Sequence, residues 1–169
     1  KKYLEKLKIN LPSLQTPIIT NTTMGKVLEI GISKNKGDQI LKLDKVEAVK
    51  GKGLINDRKF KDKNNSHQQI TLIEIENINE YNLSNNTNIL PVDFRRNIIT
   101  KNIKLNELVG KEFCIGKVKL LAHDLCRPCL YLQNILKQKN FVEQLLITGG
   151  LRCEILSGGI IHVGDDIVT

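Results

Sequence analysis

Short runs of β-branched and apolar residues, separated by breaks rich in glycine, asparagine and lysine, recur along most of this chain. They predict strands at 26–33, 39–49, 69–75, 113–123, 151–156 and 160–169. Gly37-Asp38 marks a turn, Gly116 predicts a bend within one strand, and Gly158-Gly159 suits a tight hairpin. Many short strands with few helices favour a β-barrel or a strongly curved sheet.

Helical spacing is confined to short segments. Apolar positions three and four apart predict helices within 75–83 and 130–139. Residues 1–24 differ from the rest, because leucines among lysines are followed by Pro12 and Pro17, which interrupt any regular element. We therefore expect a mainly β domain over 25–169 with one to three short helices, preceded by an N-terminal arm that is solvated or loosely docked.

Length and composition limit the class of protein. A chain of 169 residues with 40% hydrophobic content can bury a core as a single domain without disulfides. Its apolar runs are shorter than the ~18 residues of a membrane span, and no signal peptide opens it. The four cysteines are expected to be reduced thiols in a cytoplasmic compartment. The sequence starts at Lys1, so location in an organelle is the alternative if a targeting segment preceded this residue.

The positive net charge suggests that polyanions could be partners. The formal net charge is +8, but only five of the 26 basic residues are arginine and aromatic residues make up 4% of the chain. Base stacking and phosphate recognition would favour more of both, so a nucleic-acid module is disfavoured. The sequence also lacks the glycine-rich phosphate loops of dinucleotide and nucleoside-triphosphate enzymes.

The densest set of reactive side chains lies at 123–129, between a predicted strand and a predicted helix. Cys129 would lie near the helix N-terminus and close to Arg127, and both features lower a thiol pKa. Four interpretations compete: a zinc site completed by distant ligands, a dithiol redox pair, two cysteines that only pack, and one reactive thiol. A zinc site lacks a second close ligand pair, and the redox pair belongs to an α/β fold that this chain does not resemble. The reactive thiol is therefore favoured.

Arginine is concentrated at three further positions. Arg95 and Arg96 are adjacent and precede Asn97, and their planar guanidinium groups suit phosphate or carboxylate. A solvated surface pair is the alternative, since Asp93 is near. The loop 53–58 would present Asp57 and Arg58, and Arg152 follows the flexible pair Gly149-Gly150.

Taken in order, these clusters resemble the MOSC family, the domain named for the C-terminal part of molybdenum-cofactor sulfurase. The resemblance runs from about Gly25 to Val168. Its landmarks are Gly53 to Arg58, His67 to Leu72, Phe94-Arg95-Arg96-Asn97-Ile98, Leu105 to Gly110 leading into Ile115-Gly116, Cys126-Arg127-Pro128-Cys129, and Gly158-Gly159 ahead of Val163-Gly164-Asp165.

The resemblance implies a β-barrel-like fold and a role in sulfur transfer or in binding a molybdopterin cofactor. It assigns Cys129 as the catalytic thiol and metal ligand, and Asp57 as a second catalytic residue. Cofactor binding is carried over to Arg58, Arg95, Arg96, Asn97 and Arg152. Pyridoxal phosphate is associated with the family, but this chain has no lysine-bearing desulfurase domain. The family loop usually reads Gly-Asp-Arg-His, whereas this chain has Asn56-Asp57-Arg58-Lys59.

Three functions follow as hypotheses. The first is a molybdenum-dependent reductase of N-hydroxylated compounds, and the second is a carrier that holds a persulfide on Cys129 and needs a sulfur-donor protein. The third is a non-catalytic basic binding domain. The first two need the same set of residues, so the sequence does not decide whether the protein is an enzyme.

Overall fold

The computed structural model describes residues 24–169, so the predicted arm lies outside the described residues except for Met24. Within that range the chain forms eleven strands: β1 Gly25–Ile32, β2 Leu41–Leu43, β3 Lys45–Val49, β4 Gly53–Leu54, β5 Ile70–Glu74, β6 Ile98–Lys101, β7 Glu112–Ile115, β8 Val118–Leu125, β9 Leu151–Ser157, β10 Gly159–His162 and β11 Asp166–Val168. Three short helices accompany them: α1 Ile75–Asn85, α2 Leu130–Ile135 and α3 Phe141–Gln144. The mainly β prediction with one to three helices is confirmed.

Seven of these strands close into a barrel in the order β1-β11-β7-β8-β9-β5-β6, with β6 returning to β1. Closure occurs where β11 pairs antiparallel with β1, at Gly25 opposite Ile167. Strands β5 and β6 are parallel, and a parallel pair needs a crossover, which the segment containing α1 supplies. A closed barrel leaves these strands no free edge.

Two apolar layers stabilise this arrangement. The barrel interior is filled by side chains such as Leu72, Ile98 and Leu120, all fully buried. A second cluster outside the barrel packs Ile73 against α1 and Phe141. Strand β5 lies between the two layers and is buried at all five positions, so its isoleucines and leucine contact apolar groups on both faces.

Several sequence predictions of single elements are wrong in detail. The predicted strand 113–123 is the hairpin β7–β8, because Gly116 adopts φ +54° in the turn instead of bending one strand. The predicted hairpin at Gly158-Gly159 does not form. Strand β10 pairs with β3 in a separate three-stranded sheet, and Gly158 leaves room for the Ala48 carbonyl, which lies 2.7 Å from where a Cβ would be.

Within the described residues no helix is long and apolar enough to cross a membrane. The longest, α1, has 11 residues.

Candidate functional site

One end of the barrel opens into a cavity of about 320 Å³. Strands β5, β6 and β9 begin there, at Thr71, Asn97 and Arg152, whereas β1 and β8 end there, near Ser33 and Cys126. The loop after β1, the 53–60 segment and the start of α2 complete the walls. The volume lies in the lower part of the range that ligand pockets occupy, roughly 300–1,000 Å³.

The cavity wall is strongly basic. Its lining includes one carboxylate, Asp57, and seven basic side chains: Lys36, Arg58, Lys59, Arg95, Arg96, Arg127 and Arg152. A concave surface lined by one sign of charge concentrates ligands of the opposite sign. The cavity is therefore suited to an anion.

Arg152 supplies an unused donor in this cavity. Its Nε atom is buried and has no hydrogen-bond partner among the described residues. A buried donor without an acceptor costs about 1–3 kcal/mol, which an anionic ligand would recover. Arg58 is exposed, and its guanidinium likewise has no hydrogen bond to any side chain or carbonyl in residues 24–169.

Arg96 has a different task. It is 8% exposed, and its guanidinium donates to three backbone carbonyls. The bonds run from Nε to Gly149 at 2.8 Å, from Nη1 to Phe94 at 3.1 Å and from Nη2 to Cys126 at 2.7 Å. The hydrogen bonds of this side chain therefore link the end of β8 and the turn before β9 to the segment that leads into β6.

The glycine pair before β9 permits that contact. A Cβ on Gly150 would lie 2.1 Å from the Leu72 carbonyl oxygen and 3.4 Å from Arg96 Nε, and the residue has φ +113°. Only glycine fits this backbone conformation and spacing. Gly150 therefore lies against the backbone of β5.

Arg95 braces the loop between β1 and β2. Its Nη1 donates to the Asp38 carbonyl at 3.0 Å, and its Nη2 donates to Ser33 Oγ at 3.5 Å. The half-buried side chain still lines the cavity.

Asp57 and Asn97 form a hydrogen-bonded pair at the cavity wall. The Asp57 carboxylate accepts from the backbone N–H groups of Ser33 at 3.1 Å and Lys59 at 2.9 Å, and from Asn97 Nδ2 at 3.4 Å. Asn97 Oδ1 accepts from the backbone and the hydroxyl of Thr71. Both side chains thus fix the relative positions of three segments around the cavity.

The three thiols near this end of the barrel differ in accessibility. Cys129 is exposed at the cavity rim, directly before α2, whereas Cys126 is 6% exposed and Cys153 is fully buried. Burial raises the pKa of the Cys153 thiol well above its ordinary value. Cys129 is therefore the thiol that a ligand or another protein can reach.

Sequence reasoning missed Lys59 as a site residue. It is half-buried in the cavity wall, at the position where the family loop usually has histidine. Burial lowers its pKa, and Arg58 and Arg152 lower it further, against the opposing effects of Cys126 and Asp57. The lysine in place of the histidine that is usual in the family loop was the sequence feature that pointed to this position.

His123, which belongs to the same sequence cluster as the two cysteines, lies outside the cavity lining. Its Nε2 is 2.8 Å from Glu154 Oε2, and its ring stacks on His67 with centroids 4.2 Å apart. Among residues 24–169 no three histidine, cysteine, aspartate or glutamate side chains are arranged to hold a metal ion.

Comparison with known families decides the class of the domain. The family model described as MOSC domain matches residues 56–168, about two thirds of the chain. The chain belongs to the MOSC domain family. The matched region includes all seven predicted site residues. Asp57, near its start, is the first of the predicted residues to be matched, and the predicted family is confirmed.

Solved structures share the fold of this MOSC domain at low sequence identity. YuaD from Bacillus subtilis has a TM-score of 0.75 at 22% identity, covering 85% of this chain and 94% of that one. YiiM from Geobacillus stearothermophilus has a TM-score of 0.69 at 13% identity, covering 85% and 74%. YiiM from Escherichia coli has a TM-score of 0.67 at 14% identity, covering 86% and 69%. A search of curated proteins found no match.

The structure of this MOSC domain brings the predicted site residues together. All seven line the basic cavity: Asp57, Arg58, Arg95, Arg96, Asn97, Cys129 and Arg152. Their roles in chemistry stay predictions, and their contacts divide them into two groups. Arg58, Cys129 and Arg152 have reactive or donor atoms without protein partners in the described residues, whereas the others are bonded to the protein itself.

Thiol reactivity of the MOSC domain should follow this order of accessibility. We expect iodoacetamide to modify Cys129 of the native protein first, and Cys114, which is half-buried, more slowly. Cys153 should react only after unfolding, because it is buried and its raised pKa disfavours the thiolate. Peptide mass spectrometry over a time course measures this, with protein in urea as the control. Modification of Cys153 before Cys129 would contradict the assignment.

Proposed function

We propose that this MOSC domain binds a molybdopterin-type cofactor in the basic cavity, with Cys129 as the thiolate ligand of the metal. In this proposal the protein acts as a small reductase of N-hydroxylated compounds and receives electrons from an external donor protein. The observation that carries the proposal is the combination of one accessible thiol with seven cationic side chains around one cavity.

The donors of the cavity fit the anionic part of such a cofactor. A phosphate requires N–H donors, and the buried Nε of Arg152 together with the exposed guanidinium of Arg58 provides them. Both groups lack competing carboxylate partners among the described residues. We assign phosphate binding to Arg58 and Arg152.

The remaining predicted residues stabilise the walls of the cavity. Most polar atoms of Arg95, Arg96 and Asn97 form hydrogen bonds to backbone groups or to Thr71. These bonds fix the cavity walls before a ligand binds. Asp57, which the resemblance assigns as catalytic, accepts two backbone N–H groups. We propose that it orients the loop bearing Arg58 and Lys59.

Cys129 provides a soft sulfur ligand at the rim, a type of donor that suits a metal of intermediate softness better than an oxygen would. When bound, the cofactor would supply a two-electron redox centre. The seven cationic side chains of the cavity wall would offset the negative charge of the bound cofactor. Because Cys129 is exposed, a substrate can approach the rim from solvent.

Cofactor loading tests the proposal. Purified protein incubated anaerobically with cofactor released from a molybdoenzyme should retain about one molybdenum and one pterin per chain after gel filtration, measured by elemental analysis and pterin fluorescence. Arg152→Met should lower retention by roughly tenfold or more, the effect of losing a charged hydrogen bond of about 1.5–3 kcal/mol. The control Lys52→Met alters a lysine that pairs with Asp62 outside the cavity and should retain the cofactor. Absence of both molybdenum and pterin from the wild type would refute the proposal.

The exposure of Cys129 also favours a second candidate, a sulfur carrier. In that reaction the Cys129 thiolate attacks the outer sulfur of a donor persulfide, a new S–S bond forms on Cys129, and the donor leaves as a thiolate. A low-molecular-weight persulfide should then add one sulfur atom to the peptide containing Cys129, removable by reductant. Labelling spread equally over Cys129 and Cys114 would argue against this candidate.

A further inference from the structure

We propose that Lys59 is a second nucleophile in the cavity, and that it captures a carbonyl-bearing carboxylate of the 2-oxo acid class as an imine. The inference concerns a group that plays no part in the proposed cofactor chemistry. It depends on the location of the lysine and on the two guanidinium groups beside it.

The backbone of Lys59 is fixed on both sides. Its N–H donates to Asp57 Oδ1 at 2.9 Å, and its carbonyl accepts from Asn64 Nδ2 at 2.7 Å. The side chain lines the cavity and is half-buried. The amine is therefore presented to the cavity by a loop of defined conformation.

The amine of Lys59 has no carboxylate partner in the part of the chain that the structure describes. Lysines outside the cavity do pair there, such as Lys52 with Asp62 at 2.9 Å and Lys26 with Asp166. An ion pair would hold a lysine in its protonated, non-nucleophilic form. No such ion pair holds Lys59 among the described residues.

The surroundings of Lys59 favour the neutral amine. Burial is the largest effect that lowers its pKa, and the positive charges of Arg58, on the same loop, and Arg152, on β9, act in the same direction. Cys126 and Asp57 oppose them, and the net shift is downward. A lysine beside other cations in a partly desolvated cavity is an activated amine.

In the cofactor-free protein, the two arginines that would bind the cofactor's phosphate are available to another anion, and they define the ligand. A guanidinium binds a carboxylate through parallel hydrogen bonds, and Arg152 has a buried donor to offer. A 2-oxo acid places an electrophilic carbonyl carbon next to its carboxylate. The Lys59 nitrogen adds to that carbon, the carbonyl oxygen takes up two protons and leaves as water, and a C=N bond replaces the C=O bond without any change in oxidation state.

Borohydride trapping tests this inference, with pyruvate as the probe. Sodium borohydride reduces an imine to a stable secondary amine, so wild-type protein incubated with pyruvate should gain one reduced pyruvyl group on the peptide containing Lys59. Trapping at Lys59 should exceed that at Lys52, and its yield should reach half-maximum at a lower pH than for a free lysine, because a lowered pKa leaves more neutral amine at a given pH.

Two variants make the outcome decisive. Lys59→Arg keeps the charge and should abolish the trapped adduct, whereas Lys52→Arg should leave it unchanged, with circular dichroism confirming that both variants fold. Equal labelling of Lys59 and Lys52, or an adduct that persists in Lys59→Arg, would overturn the inference. The assay contains no molybdenum and no pterin, so its failure would leave the cofactor-binding proposal intact.

Discussion

Cys129→Ser should reduce the amidoxime-reducing activity of the cofactor-loaded protein by more than about 100-fold, while the protein stays folded and the pterin stays bound. Losing a residue that only orients a metal ligand costs about 10–100-fold, so losing the ligand itself should cost more. Serine is the closest isostere, but its hydroxyl is neither soft nor ionised near neutral pH. Steady-state reduction with a chemical electron donor measures the effect.

The matched control for this prediction is Cys114→Ser. Cys114 is a half-buried cysteine on β7, away from the cavity lining, and its replacement should leave both activity and cofactor content unchanged. Because the Cys129 side chain is exposed, Cys129→Ser should also unfold at the same urea concentration as the wild type within error. Full activity in Cys129→Ser would remove the thiol from the mechanism.

Arg96→Met should destabilise the domain by about 3 kcal/mol or more. The variant leaves the carbonyls of Gly149, Phe94 and Cys126 without their donor in a buried position, and each buried acceptor left unsatisfied costs about 1–3 kcal/mol. Methionine fills part of the volume but offers no hydrogen bond. Equilibrium urea unfolding, followed by circular dichroism, measures the change in unfolding free energy.

A second readout shows what Arg96 holds in place. Since Arg96 binds the Cys126 carbonyl, its loss should loosen the end of β8 and increase the rate at which iodoacetamide modifies Cys126 in the native protein. Arg127→Met is the control, because Arg127 is exposed and its removal should change stability by no more than about 0.5 kcal/mol. Equal stability of the Arg96→Met and Arg127→Met variants would contradict the structural role of Arg96.

The fold was predictable from sequence where a pattern is local. The alternation and β-branched content of β1 and β8, and the positions of the glycine breaks, indicated a closed or curved β-structure. Strand partners were not predictable in the same way. Strand β10 begins at the second glycine of a pair typical of a hairpin, yet it pairs with β3, because pairing depends on contacts more than 100 residues apart in the chain.

The site residues were predictable as a set, and their individual tasks were not. Adjacent arginines in a lysine-rich chain suggested anion binding for both Arg95 and Arg96. The structure shows that Arg96 is buried and bonded to carbonyls, whereas the unused donor belongs to Arg152, from a strand that starts 55 residues after Arg96. Which guanidinium faces protein and which faces the cavity depends on the barrel closing, which no local motif encodes.

X-ray absorption at the molybdenum edge of cofactor-loaded protein tests most directly whether the thiol and the basic cavity form one ligand site. We expect the wild type to show one more sulfur neighbour of molybdenum than Cys129→Ser, with pterin content equal in the two samples. Identical sulfur coordination in both proteins would contradict the assignment of Cys129 as the metal's ligand.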